Sequence, residues 1–325
     1  MNKESNFEET EPKKRSLYTL TLTDAQMDRL KAWCDRQLWE FYEVDHARFA
    51  FKGDKVNVVG YKSGKLVIQG KKTEDFVTYV LEAEITQEPK MGYEEVHHPE
   101  WFEAHAGLDE SGKGDLFGPL VSACVVADAG VARIWMDAGL KESKRITSDA
   151  SVLKLEKVIR ATKGVVVKTT FAGMEKYNAL YVKFGSNLNK LLGWMHARAL
   201  EDALDAKHVP WGMLDQFSKK DLVTPNLKLK AAFELRMQTK AEEDPIVAAA
   251  SIIARATYIK QMKKLSDVFG EPLLKGSGAQ AKEQGYRVVE KFGPESFGQF
   301  AKLHFRTASE ILGKPVPEKR PWQKY

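Results

Sequence analysis

The spacing of apolar residues divides the first part of the chain into a helix, several short strands and a second helix. Over residues 23–44, apolar positions recur every three or four residues after a Thr or Asp that can cap a helix. Short segments of alternating apolar and polar residues follow, separated by glycine-containing turns, which predicts an antiparallel meander. These segments are residues 47–53, 55–64 and 65–72. A helical pattern over residues 73–85 completes a small α+β unit with an antiparallel sheet.

The segments on either side of this unit lack such periodicity. Residues 1–16 are polar and of mixed charge, so we expect a disordered tail. Residues 87–104 have no clear period and contain two prolines, which is typical of a linker. We therefore predict a first domain over residues 17–86 and a second domain over residues 105–325.

Beyond the linker the pattern alternates between strands and longer helices. Residues 105–128 are typical of an apolar strand, a glycine-rich tight turn and a second apolar strand. Further strands are predicted at 164–172 and 209–217, and helices at 148–164, 187–206 and 245–265, with more helix towards the C-terminus. Strands mixed with helices on this scale indicate an α/β layered domain.

Composition and cysteine spacing indicate the class of protein and its expected compartment. Hydrophobic residues make up 43% and charged residues 29% of the 325 positions, as in a soluble globular protein. No apolar run reaches the roughly 18 residues that a membrane span needs. The two cysteines, Cys34 and Cys124, have neither disulfide-scaffold nor zinc-type spacing. We expect reduced core thiols in a cytoplasmic protein with no membrane partner.

The charge is unevenly distributed. Residues 1–105 carry 15 Lys and Arg against 20 Asp and Glu, a net charge of −5, whereas residues 106–325 carry 35 against 25, a net charge of +10. Within the first domain, however, the segment from Arg48 to Thr73 contains seven basic residues and only one acidic residue, Asp54. A basic, strand-rich segment beside a basic second domain suggests a polyanionic partner, although a solvated charged face explains the same pattern.

The strongest candidate for chemistry is the pair Asp109 and Glu110, which ends an apolar strand and precedes glycines. Successive strand residues point to opposite sides of the backbone, and carboxylate oxygens suit Mg²⁺ or Mn²⁺. A two-metal phosphodiesterase needs three or four such acids around ions about 3.5–4 Å apart. A phosphate-binding loop over Gly107–Lys113 is excluded, because Gly114 stands where the Ser or Thr should be.

Two later acids fit the same metal site. Asp215 ends an apolar strand, where a buried charge must be paired or bound to metal, although a role as a helix or turn cap explains the same residue. In the segment before the alanine-rich helix, Asp244 precedes Pro245 and is expected to cap that helix. That leaves Glu242 or Glu243 as the fourth ligand, and the residues alone do not choose between them.

Several ordered segments of the second domain resemble those of ribonuclease HIII, a type 2 ribonuclease H. The resemblance begins with AGLDESGKGDLFGPLVSACVV at residue 106 and extends over about residues 104–310. The further matching segments, in order, are LKESK at 140–144, NLNKLLGWMHA from Asn187, LDQF at 214–217, TKAE at 239–242, VAAASIIAR from Val247, LLKGSG from Leu273 and KLHFRT from Lys302. The first domain is similar in pattern to the TATA-binding-protein-like domain that this family carries at its N-terminus.

The resemblance implies a ribonuclease H-like mixed sheet flanked by helices and two divalent ions, Mg²⁺ or Mn²⁺. It also implies four metal ligands, namely Asp109, Glu110, Asp215 and Glu242. Glu242 is preferred over Glu243 because it matches the acid in the family's Lys-Ala-Glu. By similarity, the backbone of Gly112, Lys113 and Gly114 meets the 2′-hydroxyls of an RNA strand, and Ser143 and Lys144 contact the phosphate near the cut. The basic meander, with Lys62, Lys65, Lys71 and Lys72, is a candidate platform for the hybrid backbone.

The resulting hypothesis is an endoribonuclease that cuts the RNA strand of RNA–DNA hybrids and leaves 5′-phosphate and 3′-hydroxyl ends. We expect it to act as a monomer in the cytoplasm, in DNA replication and repair. The alternatives are another metal nuclease on the same fold, such as a junction resolvase or exonuclease, and an inactive hybrid-binding protein. His196, within an apolar helical stretch, is interpreted as a packing residue.

Overall fold

The computed structural model describes residues 16–89, 94–137, 146, 148–228 and 232–316. The chain forms two compact units whose main boundary lies between Glu100 and Trp101. The tail predicted over residues 1–16 falls almost wholly outside the described residues.

The first unit is built on a five-stranded antiparallel sheet in the order β1-β5-β4-β3-β2. Its elements are β1 (Leu17–Thr21), α1 (Asp24–Arg36), β2 (Glu40–Phe41), β3 (Ala47–Gly53), β4 (Val56–Tyr61), β5 (Lys65–Gly70), α2 (Thr73–Phe76) and α3 (Glu94–His97). Helix α2 continues as wider π-type turns over Val77–Thr86. The predicted meander is therefore confirmed, and the predicted second helix is present but mostly of the π type.

Helix α1 begins where the sequence predicted and ends earlier. Thr23 accepts a hydrogen bond from the backbone of Gln26, whose side chain accepts one from the backbone of Thr23, so a capping box fixes the start. The helix stops at Arg36 and not near residue 44, because Leu38 adopts a positive φ of 55° that leaves the helical conformation. The strands β1 and β2 were not predicted.

The second unit contains a five-stranded mixed sheet in the order β10-β9-β6-β7-β8. Strands β6, β7 and β8 are antiparallel, whereas β9 runs parallel to both β6 and β10. The strands are β6 (His105–Ser111), β7 (Val121–Ala127), β8 (Val166–Phe171), β9 (Trp211–Asp215) and β10 (Glu234–Gln238). The helices are α4 (Ala129–Asp137), α5 (Asp149–Ala161), α6 (Met174–Lys183), α7 (Leu188–Ala206), α8 (Pro245–Phe269), α9 (Ala279–Phe292) and α10 (Arg306–Ile311).

The two faces of this sheet are covered by different helices. Along the fully buried strand β7, Val121, Ala123 and Val125 belong to the core cluster that includes helix α8. The intervening Cys124 and Val126 belong to the cluster that includes helix α7. Strand side chains alternate between faces, so the sheet lies between α8 and α7 as the middle layer of an α/β sandwich. This confirms the predicted fold class.

Most predicted elements of the second unit are confirmed, including the long helix α8 with Asp244 as its cap and Pro245 in its first turn. Helices α4 and α6 and strand β10 were not predicted.

Cys34 and Cys124 are free and buried, as predicted, and burial raises the pKa of both thiols. Among the described residues, no helix is long and apolar enough to cross a membrane.

Candidate active site

Asp109 and Glu110, near the end of strand β6, point to opposite faces of the sheet. On one face, Ser251 of helix α8 hydrogen-bonds the carboxylate of Asp109. On the other face, Nε2 of His196 on helix α7 lies 3.2 Å from Oε2 of Glu110. The Asp109 carboxylate also accepts a hydrogen bond from the backbone N–H of Glu110 at 2.7 Å. The prediction that this pair projects to both sides of the backbone is confirmed.

A glycine lets helix α8 approach this strand closely. A Cβ atom at Gly107 would lie 2.4 Å from the backbone carbonyl carbon of Ile246, a distance that side-chain carbons do not adopt. Only glycine therefore fits against the first turn of α8. The close approach brings the α8 face, and with it Ser251, to the side of strand β6 on which Asp109 lies.

Asp215 ends strand β9, the parallel neighbour of β6. Leu108 and Leu214 are register partners in this pair of strands, so Asp109 and Asp215 are the next residues along at the same edge of the sheet. Oδ1 of Asp215 accepts a hydrogen bond from the backbone N–H of Ala241 at 3.1 Å. This bond fixes the short 3₁₀ turn Ala241–Glu243 beside the end of β9.

The turn distinguishes the two candidates for a fourth acid. Glu242 is buried, with 7% of its surface exposed, whereas Glu243 is exposed. Asp244 accepts hydrogen bonds from the backbone N–H groups of Ile246 and Val247 and is therefore used as the cap of α8. The burial favours Glu242 over Glu243 as a site residue.

The electrostatics of this corner show an excess of negative charge. Burial, together with the negative charges of Glu110 and Asp215, raises the pKa of Asp109 to about 7. For Glu110, burial also acts to raise the pKa, but the hydrogen bond and charge of His196 and the charge of Lys113 outweigh it and lower the pKa. A divalent cation would compensate this charge, and oxygen donors of this kind suit Mg²⁺ or Mn²⁺.

The acids lie at one edge of the sheet, but their carboxylates do not surround a space for an ion. Across the described parts of the chain, no group of three or more His, Cys, Asp or Glu side chains is arranged closely enough to hold a metal ion. The donor set therefore fits hard divalent cations by chemistry and charge, and enclosing them requires the carboxylates to turn towards one another.

The glycine-rich loop after β6 lies next to these acids. Gly112 has a positive φ of 87°, and a Cβ atom there would lie 2.4 Å from the carbonyl oxygen of Pro119. Nζ of Lys113 lies 3.5 Å from Oε1 of Glu110 and 5.5 Å from the ring centre of Phe217. A Cβ atom at Gly114 would meet nothing within 4 Å, so this stretch of backbone is open to an incoming ligand.

The other predicted substrate contacts are Ser143, Lys144 and four lysines of the first unit. Ser143 and Lys144 are outside the described residues. In the first unit, Lys62 and Lys65 are exposed at one end of strand β5, and Lys71 and Lys72 lie at its other end. Lys72 is paired with Asp54 at 2.8 Å, so its charge is partly neutralised. The four lysines thus form two separate pairs along one strand.

Sequence reasoning did not assign His196 or Ser251 to the site. His196 is fully buried and stacks on Phe217 with ring centres 5.4 Å apart, which confirms the prediction of a packing role. It also contacts Glu110, and Ser251 contacts Asp109. Both lie on helices remote in sequence from β6, and the signal for each was a polar residue within an otherwise apolar helical stretch.

Comparisons with known proteins agree with this arrangement. Residues 106–308 match the family model of ribonuclease HII, and residues 20–91 match a domain of unknown function, DUF3378. The first match and the mixed α/β fold define the class of the protein: it is a hydrolase of the ribonuclease H type.

Similarity over most of the chain defines the family more narrowly. Ribonuclease HIII of Chlamydia caviae is 35% identical over 298 residues, covering 90% of this chain and 97% of that protein. Ribonuclease HIII of Chlamydia trachomatis serovar L2 is 35% identical over 274 residues, covering 82% and 88%. The crystal structure of Bst-RNase HIII in complex with Mn²⁺ superposes with a TM-score of 0.62 at 28% identity, covering 92% and 98%. The chain belongs to the ribonuclease HIII family.

Proposed function

We propose that this protein is an endonuclease that hydrolyses the RNA strand of RNA–DNA hybrids with two divalent ions, leaving 5′-phosphate and 3′-hydroxyl ends. The observation that carries the proposal is the placement of strand-end and turn acids at one edge of a ribonuclease H-type sheet. Asp109 and Asp215 end neighbouring parallel strands, and the Ala241–Glu243 turn is fastened to Asp215. The Mn²⁺ complex of Bst-RNase HIII supports the use of divalent ions.

Asp109, Glu110, Asp215 and Glu242 would hold the ions. The chemistry that bound divalent ions would supply there is activation of a water for attack on the phosphodiester and stabilisation of the charge on the leaving oxygen. The residues themselves have distinguishable tasks. Ser251 and His196 orient the carboxylates of Asp109 and Glu110, and the backbone bond to Ala241 orients that of Asp215.

We propose that the glycine-rich loop selects the strand to be cut. The loop backbone is open to a ligand at Gly114, and backbone N–H groups can donate to a ribose 2′-hydroxyl, the group that distinguishes RNA from DNA. Lys113 contributes positive charge beside Glu110 where an anionic strand must approach. Ser143 and Lys144 are proposed to contact the phosphate near the cut.

The first unit is proposed to hold the hybrid backbone. Lys62, Lys65 and Lys71 are exposed on the meander, and contacts of lysine with phosphate supply affinity without sequence information. Because Arg48 is paired with Asp24 and Asp28, and Lys72 with Asp54, fewer charges are available than the sequence alone suggested. The exposed lysines at both ends of β5 are the proposed contacts.

The proposed activity is tested with three labelled duplexes of one sequence: an RNA–DNA hybrid, an all-DNA duplex and an all-RNA duplex. Each is incubated with the purified protein in Mg²⁺, in Mn²⁺ and in a chelator. We expect internal cuts in the RNA strand of the hybrid alone, only with a divalent ion, and with 5′-phosphate and 3′-hydroxyl ends. Cutting of the DNA duplex would indicate a resolvase or exonuclease, and tight hybrid binding without cutting would indicate an inactive binding protein.

A further inference from the structure

The glycine-rich loop is fastened on its far side by two segments that lie more than a hundred residues away in sequence. The backbone N–H of Leu116 donates to the carbonyl of Gly276 at 2.9 Å, and the N–H of Gly276 donates to Oδ1 of Asp115 at 2.5 Å. The N–H of Gly118 donates to the carbonyl of Phe300 at 3.0 Å. Gly276 belongs to LLKGSG, and Phe300 lies two residues before KLHFRT; the proposed function assigns no task to either sequence motif.

Lys302 makes the central contact of the second segment. Its backbone N–H donates to the carbonyl of Leu116 at 2.8 Å. Its Nζ donates to the carbonyl of Asp115 at 2.8 Å and to the carbonyl of Gly118. The side chain is fully buried, and Nζ lies 5.7 Å from the ring centre of Tyr177.

A lysine in this position has an energetic cost. Burial lowers the pKa of Lys302 to about 7, which shows that the surroundings disfavour the charged form. Long charged side chains are almost never fully buried without a specific set of partners. Here the partners are two backbone carbonyls of one loop, so the side chain fixes the loop's conformation and does more than fill space.

We propose that Lys302 is a positioning residue for ribose recognition. By holding the carbonyls of Asp115 and Gly118, it fixes the rear of the loop, so that the Gly112–Gly114 backbone, which is open to a ligand at Gly114, keeps one conformation before the hybrid arrives. This inference rests on the proposed function of that loop. A preformed loop binds the ribose without losing conformational entropy. Loss of this preformed conformation therefore weakens binding of the hybrid more than it slows cleavage.

The test compares Lys302→Met, which keeps the length of the side chain and removes its donors, with Lys302→Gln, which keeps an amide donor. Val288→Ala is the matched control, because Val288 on helix α9 is fully buried in the core cluster that includes Phe117, and its apolar side chain makes no hydrogen bond to the loop. Steady-state kinetics on the hybrid are measured well below each melting temperature. Binding of the hybrid and of a DNA duplex is measured in the Asp109→Asn background, which prevents cleavage.

We expect Lys302→Met to raise the KM for the hybrid roughly tenfold while kcat changes by less than about twofold, as for loss of uniform binding. The preference for hybrid over DNA duplex should fall by a similar factor, and Lys302→Gln should be intermediate. Val288→Ala should lower the melting temperature and leave KM and the preference unchanged. A folded Lys302→Met protein with unchanged KM and preference, or the same change in Val288→Ala, would overturn the inference.

A measurement on the unmodified protein covers the case in which neither Lys302 variant folds. Amide hydrogen exchange at Leu116 and Gly118 should be slow in the free protein and should not slow further when the hybrid binds. Fast exchange in the free protein would contradict a preformed loop. Failure of the parent protein to cut the hybrid rejects the proposed function, whereas an active parent with an unaltered Lys302→Met variant rejects the role of Lys302 alone.

Discussion

Burial separates two adjacent glutamates that the sequence alone left as alternatives. Glu242 is buried in the turn fastened to Asp215, and Glu243 is exposed. We expect Glu242→Gln to lower kcat on the hybrid by orders of magnitude, since it removes a charged ion ligand. Glu243→Gln, the same change one residue away, should stay within about threefold of the parent, as exposed substitutions usually do. Single-turnover cleavage measures both, and a dead Glu243→Gln protein would reverse the assignment.

His196 orients Glu110, a proposed metal ligand, and is not itself proposed to bind the metal. Its Nε2 lies 3.2 Å from Glu110, and its ring is stacked on Phe217. We expect His196→Phe, which keeps the stacking and removes the hydrogen bond, to weaken the apparent affinity for Mn²⁺ roughly 10–100-fold, as for lost partners of metal ligands. Titration of activity with Mn²⁺ measures this, and excess Mn²⁺ should restore most of kcat. An unchanged titration curve would show that Glu110 needs no such support.

The acids and their supporting residues differ in how far sequence could identify them. Asp109, Glu110 and Asp215 end apolar strands, and this local pattern marks a carboxylate that needs a partner. Glu242 could be preferred only through resemblance, because its burial depends on how the turn packs against β9. His196 and Ser251 were missed as site residues, since their contacts join helices α7 and α8 to strand β6 across long separations in sequence.

At the scale of elements, helix α8 allows a test of how its first turn is fixed. Asp244 caps the helix, and its Oδ2 lies 2.8 Å from Nε2 of the buried His105. We expect Asp244→Ala to lower the free energy of unfolding by about 1–3 kcal/mol, since it removes a cap and leaves a buried ring nitrogen without its partner.

Ser148, which precedes helix α5, is the matched control for Asp244. The Ser148 side chain makes no capping hydrogen bond. Ser148→Ala should therefore change the free energy of unfolding by less than about 0.5 kcal/mol. Urea denaturation measures the free energy of unfolding of both variants. Equal losses in the two variants would show that the hydrogen bonds of the Asp244 side chain do not stabilise the fold.

Elements with strong local signals were predicted, and elements with short or weak signals were not. Helix α1 has a capping box, helix α8 has an Asp-Pro start, and the meander β3–β5 has glycine turns. Strand β10 is an edge strand with no fully buried residue; Leu235 and Met237 do alternate with polar residues, but over only five positions, and this short signal was missed. Strand β1 exists through its antiparallel pairing with β5, in which Leu17 pairs with Gln69 and Thr21 with Lys65, and no local pattern reveals this pairing.

At the scale of the whole molecule, the charge of the first unit predicts how binding responds to salt. Lys62, Lys65 and Lys71 are exposed, and each phosphate contact contributes roughly 0.9 to the slope of log affinity against log salt. We expect the triple change to alanine to make this slope shallower by about 1–3 and to raise KM, with kcat nearly unchanged.

Lys31→Ala is the control for the three lysines, because Lys31 lies on helix α1 and is already paired with Asp35 at 2.8 Å. It should leave the salt dependence unchanged. Removal of residues 1–86 should raise KM further than the triple change does. Equal affinity and equal salt dependence in the triple variant and its parent would favour a role of the first unit in folding or in docking another partner.

The acids at the ends of β6 and β9 are proposed to hold the ions needed to cut RNA in a hybrid, and a change at Asp215 separates that role from hybrid binding. Single-turnover cleavage of a labelled hybrid is measured for the parent and for Asp215→Asn, together with hybrid affinity by gel shift. Asn keeps the shape of the side chain and can still accept the bond from Ala241, but it removes a ligand charge. We predict cleavage reduced by at least about a thousandfold with affinity within about threefold, as for loss of stabilisation specific to the transition state. Cleavage near the parent's rate in folded Asp215→Asn would contradict the account.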